Sequence, residues 1–204
     1  MIITYHGKQF FKIGQGDTIV AYNPISNDAK TTFKISKFGS DVVLSSMNHV
    51  DSNGIENTSF GDKVPVVIDG PGDYEVKEIF IKGNLSHVKK DGKSYINTIY
   101  SMVMEEISII FLGGLDHVLD SKERDGLVSP DIIFVPLDTL EPAIAYKMAV
   151  SFEPSLIIPM SSDENKIKLF LKEAGNDKTE TIDKLVIKKK DLNTKVAEVC
   201  VIKM

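Results

Sequence analysis

The chain has 204 residues, 42% of them hydrophobic and 26% charged, the composition of an ordinary folded chain with enough apolar material for a sizeable core. Twenty-four basic residues stand against 29 acidic ones, a net charge of −5, and Arg124 is the single arginine. No positive field therefore gathers phosphate backbones, and nucleic acid is excluded as a default partner. One cysteine, Cys200, rules out an intramolecular disulfide framework and a cysteine-based zinc knuckle; its alternating apolar surroundings mark it as a small buried hydrophobe. No stretch approaches the ~18 apolar residues of a membrane span, and MIITYHGKQFF lacks the basic-then-apolar order of a secretory leader. The expectation is a cytoplasmic protein with no membrane partner.

Residues 1 to about 110 read as short β-type runs divided by Gly, Asn, Asp and Pro. ITYH, QFFKI and DTIVAY carry β-branched and aromatic residues, with GKQ and GQGD as turns between them. DVVLSS and PVVID are apolar runs, EVKEIFIKG alternates like one half-buried strand, and SYINTIYSMVM with EISIIFLGG reads as a further pair. The first half is expected to be mostly antiparallel sheet. After residue 115 the pattern becomes strand, helix, strand: DIIFVPL, then PAIAYKMAVSF with Pro142 in the first turn and Ile144, Met148 and Val150 near helical spacing, then SLIIPM. DENKIKLFLKEAG opens on acidic residues, sets Ile167, Phe170 and Leu171 on one face and ends at Gly175, as a helix does. Closing strands fall near KLVIKK and VAEVCVI, and the run Lys188 to Lys190 reads as a solvated strand end. No repeat and no separating linker is present, so residues 1–204 are expected to form one domain of packed layers.

Four histidines are available to chemistry: His6, His49, His87 and His117. Catalytic zinc takes three protein ligands and leaves one position for water. The polar loop released after DVVLS holds His49 and Asp51 two residues apart, a spacing that lets both point one way in an extended loop. Taken alone, His-x-Asp is also the pattern of a turn-forming Asp beside a solvent-facing His. Asp69 to Asp73 form a dense turn, and Gly113 and Gly114 lie at a strand end without the spacing of a phosphate-binding loop. No Gly-x-Ser-x-Gly elbow is present. Tyr5, Phe10 and Phe11 are read as core or pocket wall, since no basic groove accompanies them; His6 is read as a partly buried or surface residue and Asn97 as fixing a turn.

In order and spacing these segments resemble the metallo-β-lactamase fold superfamily, in particular small bacterial hydrolases similar to ascorbate-phosphate lactonase, from Met1 to about Met160. ITYHGKQFF resembles that group's strand-turn-strand opening, and Lys8 stands where the family often has histidine. YNPI puts Asn23 in place of a carboxylate before proline, and DVVLSSMNHVDSN lies where the family carries Ser-His-x-His-x-Asp-His-Asn. VIDGPGDYEVKEIFIKG, NTIY, FLGGLDH and LIIPM match its later turns and strand ends. The resemblance implies an α/β fold, a four-layer αβ/βα sandwich, with two metals in a groove at the sheet edges hydrolysing esters, lactones, amides or phosphodiesters.

With Ser46 on the family's serine, the first histidine becomes Met47, the second is kept as His49, the aspartate is kept as Asp51 and the third histidine becomes Ser52. His87 arrives one residue early for the next ligand, and such a slip turns a strand side chain to the opposite face. The bridging aspartate is Gly114 and the last histidine is Ser161. Thioether and hydroxyl groups are poor zinc ligands. The expectation is a remnant groove of Met47, His49, Asp51, Ser52, His87, Gly114, His117 and Ser161, with no catalytic residue, no metal and no cofactor, that meets a small molecule or a protein. The alternative is a metal-dependent hydrolase with one weakly bound divalent ion, zinc or manganese, on His49, Asp51, His87 and His117. A third reading is an assembly module with an apolar interface.

Overall fold

The structure, a computed structural model, describes residues 1–127, 129–177 and 179–204. In chain order the strands and helices are β1 (Ile2–Tyr5), β2 (Phe11–Gln15), β3 (Thr18–Tyr22), β4 (Val42–Leu44), β5 (Val66–Ile68), β6 (Gly72–Val76), β7 (Ile79–Lys90), β8 (Lys93–Met104), β9 (Ile107–Phe111), α1 (Ser121–Arg124), β10 (Ile132–Pro136), α2 (Pro142–Val150), β11 (Leu156–Met160), α3 (Glu164–Glu173), β12 (Leu185–Val186), α4 (Lys189–Leu192) and β13 (Glu198–Val199). They form two sheets, one ordered β12-β1-β2-β3-β4-β5 and the other β13-β11-β10-β9-β8-β7-β6. Both are mixed. The first is antiparallel up to β3 and parallel from β3 to β5; the first half of the chain is mostly antiparallel, as expected, with β3–β4 and β4–β5 as the parallel exceptions.

Tight hairpins explain the antiparallel part. At Asp91–Gly92 both central residues are left-handed, φ 50° and 73°, the geometry that matches strand twist. Lys77–Glu78 (φ 50° and 63°) and Glu105–Glu106 (φ 48° and 64°) adopt the same turn without glycine or asparagine. EVKEIFIKG is therefore not one strand but the end of β6, a reversal, and the start of β7. The Asp69 to Pro71 turn makes no hairpin; it carries the chain from β5 in the first sheet to β6 in the second.

The central core lies between the sheets, where Phe11, Tyr22 and Ile13 of the first meet Phe111, Phe134 and Ile158 of the second. Phe111 stacks on Tyr22 at 4.2 Å and on Phe134 at 4.5 Å between centroids. On the outer face of the second sheet, α2 and α3 cover Ile133, Val135 and Ile157. Pro142 starts α2 as expected, but its inward face is Ala145, Met148 and Ala149, whereas Ile144 is exposed. In α3, Asp163 caps the first turn by accepting from the Asn165 and Lys166 amides, and Phe170 and Leu171 are buried. Over the first sheet the outer layer is a loop: Ile25, Ala29, Phe33, Ile35 and Phe38 close over Phe10, Ala21 and Val43. The α/β sandwich stands, with this layer extended rather than helical. Cys200 is half-buried against the central core, and burial raises its thiol to about 11. Among the described residues no helix is long and apolar enough to cross a membrane.

Candidate functional site

The expected groove falls where the loop after β4 meets the ends of β7, β9 and β11. Two buried asparagines set its floor. Asn23, left-handed at φ 46°, accepts from the Ser46 amide at 2.8 Å and donates to Gln9 Oε1 at 2.9 Å. Asn97, from β8, accepts the Gly114 amide at 2.8 Å and donates to the Leu112 carbonyl at 3.1 Å. Asn97 thus fixes the turn after β9, and Gly113 has to be glycine there: at φ +66° its Cβ would lie 2.1 Å from Asn97 Oδ1.

From that floor the loop winds tightly, with the His49 carbonyl accepting the Ser52 and Asn53 amides. Met47 turns inward and is only 3% exposed. Its Cε lies 3.0 Å from where a Cβ on Gly114 would stand, so a side chain at 114 would start against the end of the Met47 side chain. Ser52 is buried. His49 Nδ1 accepts the Asp51 amide at 3.2 Å, which leaves Nε2 to carry the proton and donate to Asp91 Oδ2 at 3.1 Å. Its ring stands edge-on to Tyr95.

Asp51 is held by two cations. The Lys8 ammonium donates to Oδ1 and the Lys90 ammonium to Oδ2, the latter at 2.6 Å. Burial raises the Asp51 carboxyl, but the hydrogen bonds and charges of the two lysines outweigh it and hold the group below its ordinary value. Lys8, at φ 52° in the β1–β2 turn, is also tied by its backbone: its amide donates to Ser162 Oγ at 2.7 Å and its carbonyl accepts from the Tyr5 hydroxyl at 3.0 Å.

The other expected groove residues do not converge on this point. His87 is exposed on β7, paired with Ile96, on the strand face opposite to the buried Ser86 and Val88. His117 is bound at 2.9 Å to both Asp116 and Glu123 of α1. Burial lowers its pKa, but these two carboxylates prevail and raise it. Ser161 donates to Asp138 Oδ1 at 2.6 Å and accepts the Asp163 amide at 3.0 Å. Among the described residues no group of three or more His, Cys, Asp or Glu is placed to hold a metal ion. Lys90 is the contributor that sequence reasoning missed; the available signal was the parity of β7, which sets Ser86, Val88 and Lys90 on one face.

Residues 2–161 match the sequence profile of the family described as the beta-lactamase superfamily domain. Among solved structures, the chain is similar to a Thermotoga maritima protein assigned to the Zn-dependent hydrolases of the metallo-beta-lactamase superfamily, at 25% identity and a TM-score of 0.76, covering 98% of this chain and 97% of that one. It also shares its fold with a protein from Parabacteroides distasonis assigned as a metal-dependent hydrolase (16% identity, TM-score 0.65, 99% and 92% covered). A metallo hydrolase from Ignicoccus hospitalis is a third (15%, TM-score 0.57, 92% and 99% covered). No curated protein matches the sequence.

Proposed function

The chain belongs to the metallo-β-lactamase superfamily, and from that premise we propose that it is a hydrolase-like member with a degenerate binuclear centre, acting as a binding or partner-contact module rather than as a zinc hydrolase. In this reading residues 1–204 are one domain, the protein works in the cytoplasm of a bacterium, and no metal is its resident cofactor. In the family the metals supply a Lewis acid and a water activated near neutral pH. The donors of this chain do not fit that role. The observation that carries the reading is the Met47–Gly114 contact: the end of a buried thioether side chain lies 3.0 Å from where a Cβ at 114 would stand, and position 114 carries no carboxylate. His49, Asp51, His117 and Ser161 each answer to another partner in support of it.

Elemental analysis of protein purified without chelator and without a metal-affinity step tests the proposal. Zinc, manganese and iron should be far below one per chain, and added zinc should produce no turnover of a lactone, a nitrophenyl ester or a phosphodiester. Stoichiometric metal overturns it. The second reading, a hydrolase with one weakly held divalent ion, draws on the 3.6 Å approach of His49 Nδ1 to Asp51 Oδ2; it requires metal-dependent turnover that His49→Ala abolishes.

A further inference from the structure

Lys8 and Asp51 belong to loops of the first sheet, and Lys90 ends β7 in the second. We propose that Lys8, Asp51 and Lys90 form an ionic clasp that ties the loops of the first sheet to β7 of the second, taking up the cross-sheet bridging that a metal centre at Asp51 would otherwise provide. The inference rests on the reading of the groove as metal-free.

Three observations support it. First, the side chains are 23%, 17% and 24% exposed for Lys8, Asp51 and Lys90, so this is not a pair of loose surface ions held in water. Second, Lys8 keeps a left-handed backbone, φ 52°, that a non-glycine residue adopts only when its surroundings fix it. Those surroundings are the Tyr5 hydroxyl, Ser162 Oγ and the Asp51 carboxylate, and Ser162 follows β11 of the second sheet. The β1–β2 turn is therefore strapped to the opposite sheet by its backbone as well as by its ammonium. Third, Asp51 shares its loop with Met47, which is buried with its Cε 3.0 Å from the Cβ position of Gly114, so both the carboxylate and the apolar end of this loop find their partners within the chain.

A double-mutant cycle tests the clasp: urea unfolding of the full chain, dialysed against chelator, for the wild type, Asp51→Asn, Lys90→Met and the double variant, with Lys8→Met in a second cycle. The coupling between residues 51 and 90 should be about fivefold in the unfolding equilibrium constant at 0.1 M NaCl. It should shrink at 1 M, where the screening length drops from ~10 Å to ~3 Å. Additive effects in both cycles, or a coupling indifferent to salt, overturn the clasp. Failure of the underlying reading looks different: a wild-type midpoint that falls on chelator dialysis shows a metal bridge, whereas a null cycle in chelator-treated protein removes the clasp alone. Asp51→Asn keeps the shape of the side chain, and the salt series on the wild type needs no variant to fold.

Discussion

Restoring the family's carboxylate by Gly114→Asp puts the plugged groove to the test. The glycine amide is fixed by Asn97 at 2.8 Å, and a Cβ would meet Met47 Cε at 3.0 Å, tighter than most carbon contacts, so the end of the buried Met47 side chain must give way to admit an aspartate. Overpacking of a buried site costs about 1–3 kcal/mol, and leaving a buried polar group without a partner adds about 1–3 kcal/mol. We expect the variant to lose about 2–6 kcal/mol by urea denaturation, a large part of the stability of a typical domain. Met47→Ala should itself cost about 2–5 kcal/mol by opening a cavity, yet the double variant should lose clearly less than the sum, because the cavity receives the carboxylate. Strict additivity, or a Gly114→Asp protein as stable as the wild type, would refute the steric argument.

Further predictions concern the groove's supports and its pH response. Asn97→Ala leaves the Gly114 amide unpaired in a buried site and takes one of two donors from the Leu112 carbonyl, and should cost about 1–3 kcal/mol in the same assay. Burial and the charge of Lys12 push the His6 pKa from 6.5 down to about 4. The unfolded chain takes up that proton first, so stability should decline as pH falls from 6.5 to about 4, by at most ~3 kcal/mol from this group, and His6→Gln should flatten that limb. Asp51, depressed below its ordinary 3.8, stabilises fully above that value and loses its contribution as pH falls through its folded-state value; Asp51→Asn should remove part of the steepest acid loss below pH 3.8 and leave the limb due to His6 in place.

Much of the architecture is legible in the sequence because runs such as DVVLSS, DIIFVPL and SLIIPM are apolar, short and bounded by turn residues. Reversals at Lys77–Glu78 and Glu105–Glu106 are not legible, since Lys and Glu carry no signature of a left-handed turn; the flanking strands impose it. The parallel half of the first sheet also escapes local reading. β3, β4 and β5 are joined by loops with no periodicity, and the β3–β4 connection packs over Phe10, Ala21 and Val43 as an extended layer. Strand parity alone does not place His87, because the buried positions of β7 change phase from Ile79, Ile81 and Gly83 to Ser86 and Val88. Convergence of Lys8 and Lys90 on Asp51 is not local: the partners are 43 and 39 residues away, and no spacing rule joins them.

The lacing of the sheets by the last strands has a consequence for how the protein is made. β12 supplies the outer strand of the first sheet, pairing Ile2 with Val186, and Ile187 exchanges backbone hydrogen bonds with Met1. A ribosome that has released β1 to β5 has therefore delivered a sheet with one flank bare, and that flank stays open until β12, Leu185–Val186, has emerged as well. Acquisition of the native state should be late and concerted, with relaxation slower than that of a helical bundle of equal size.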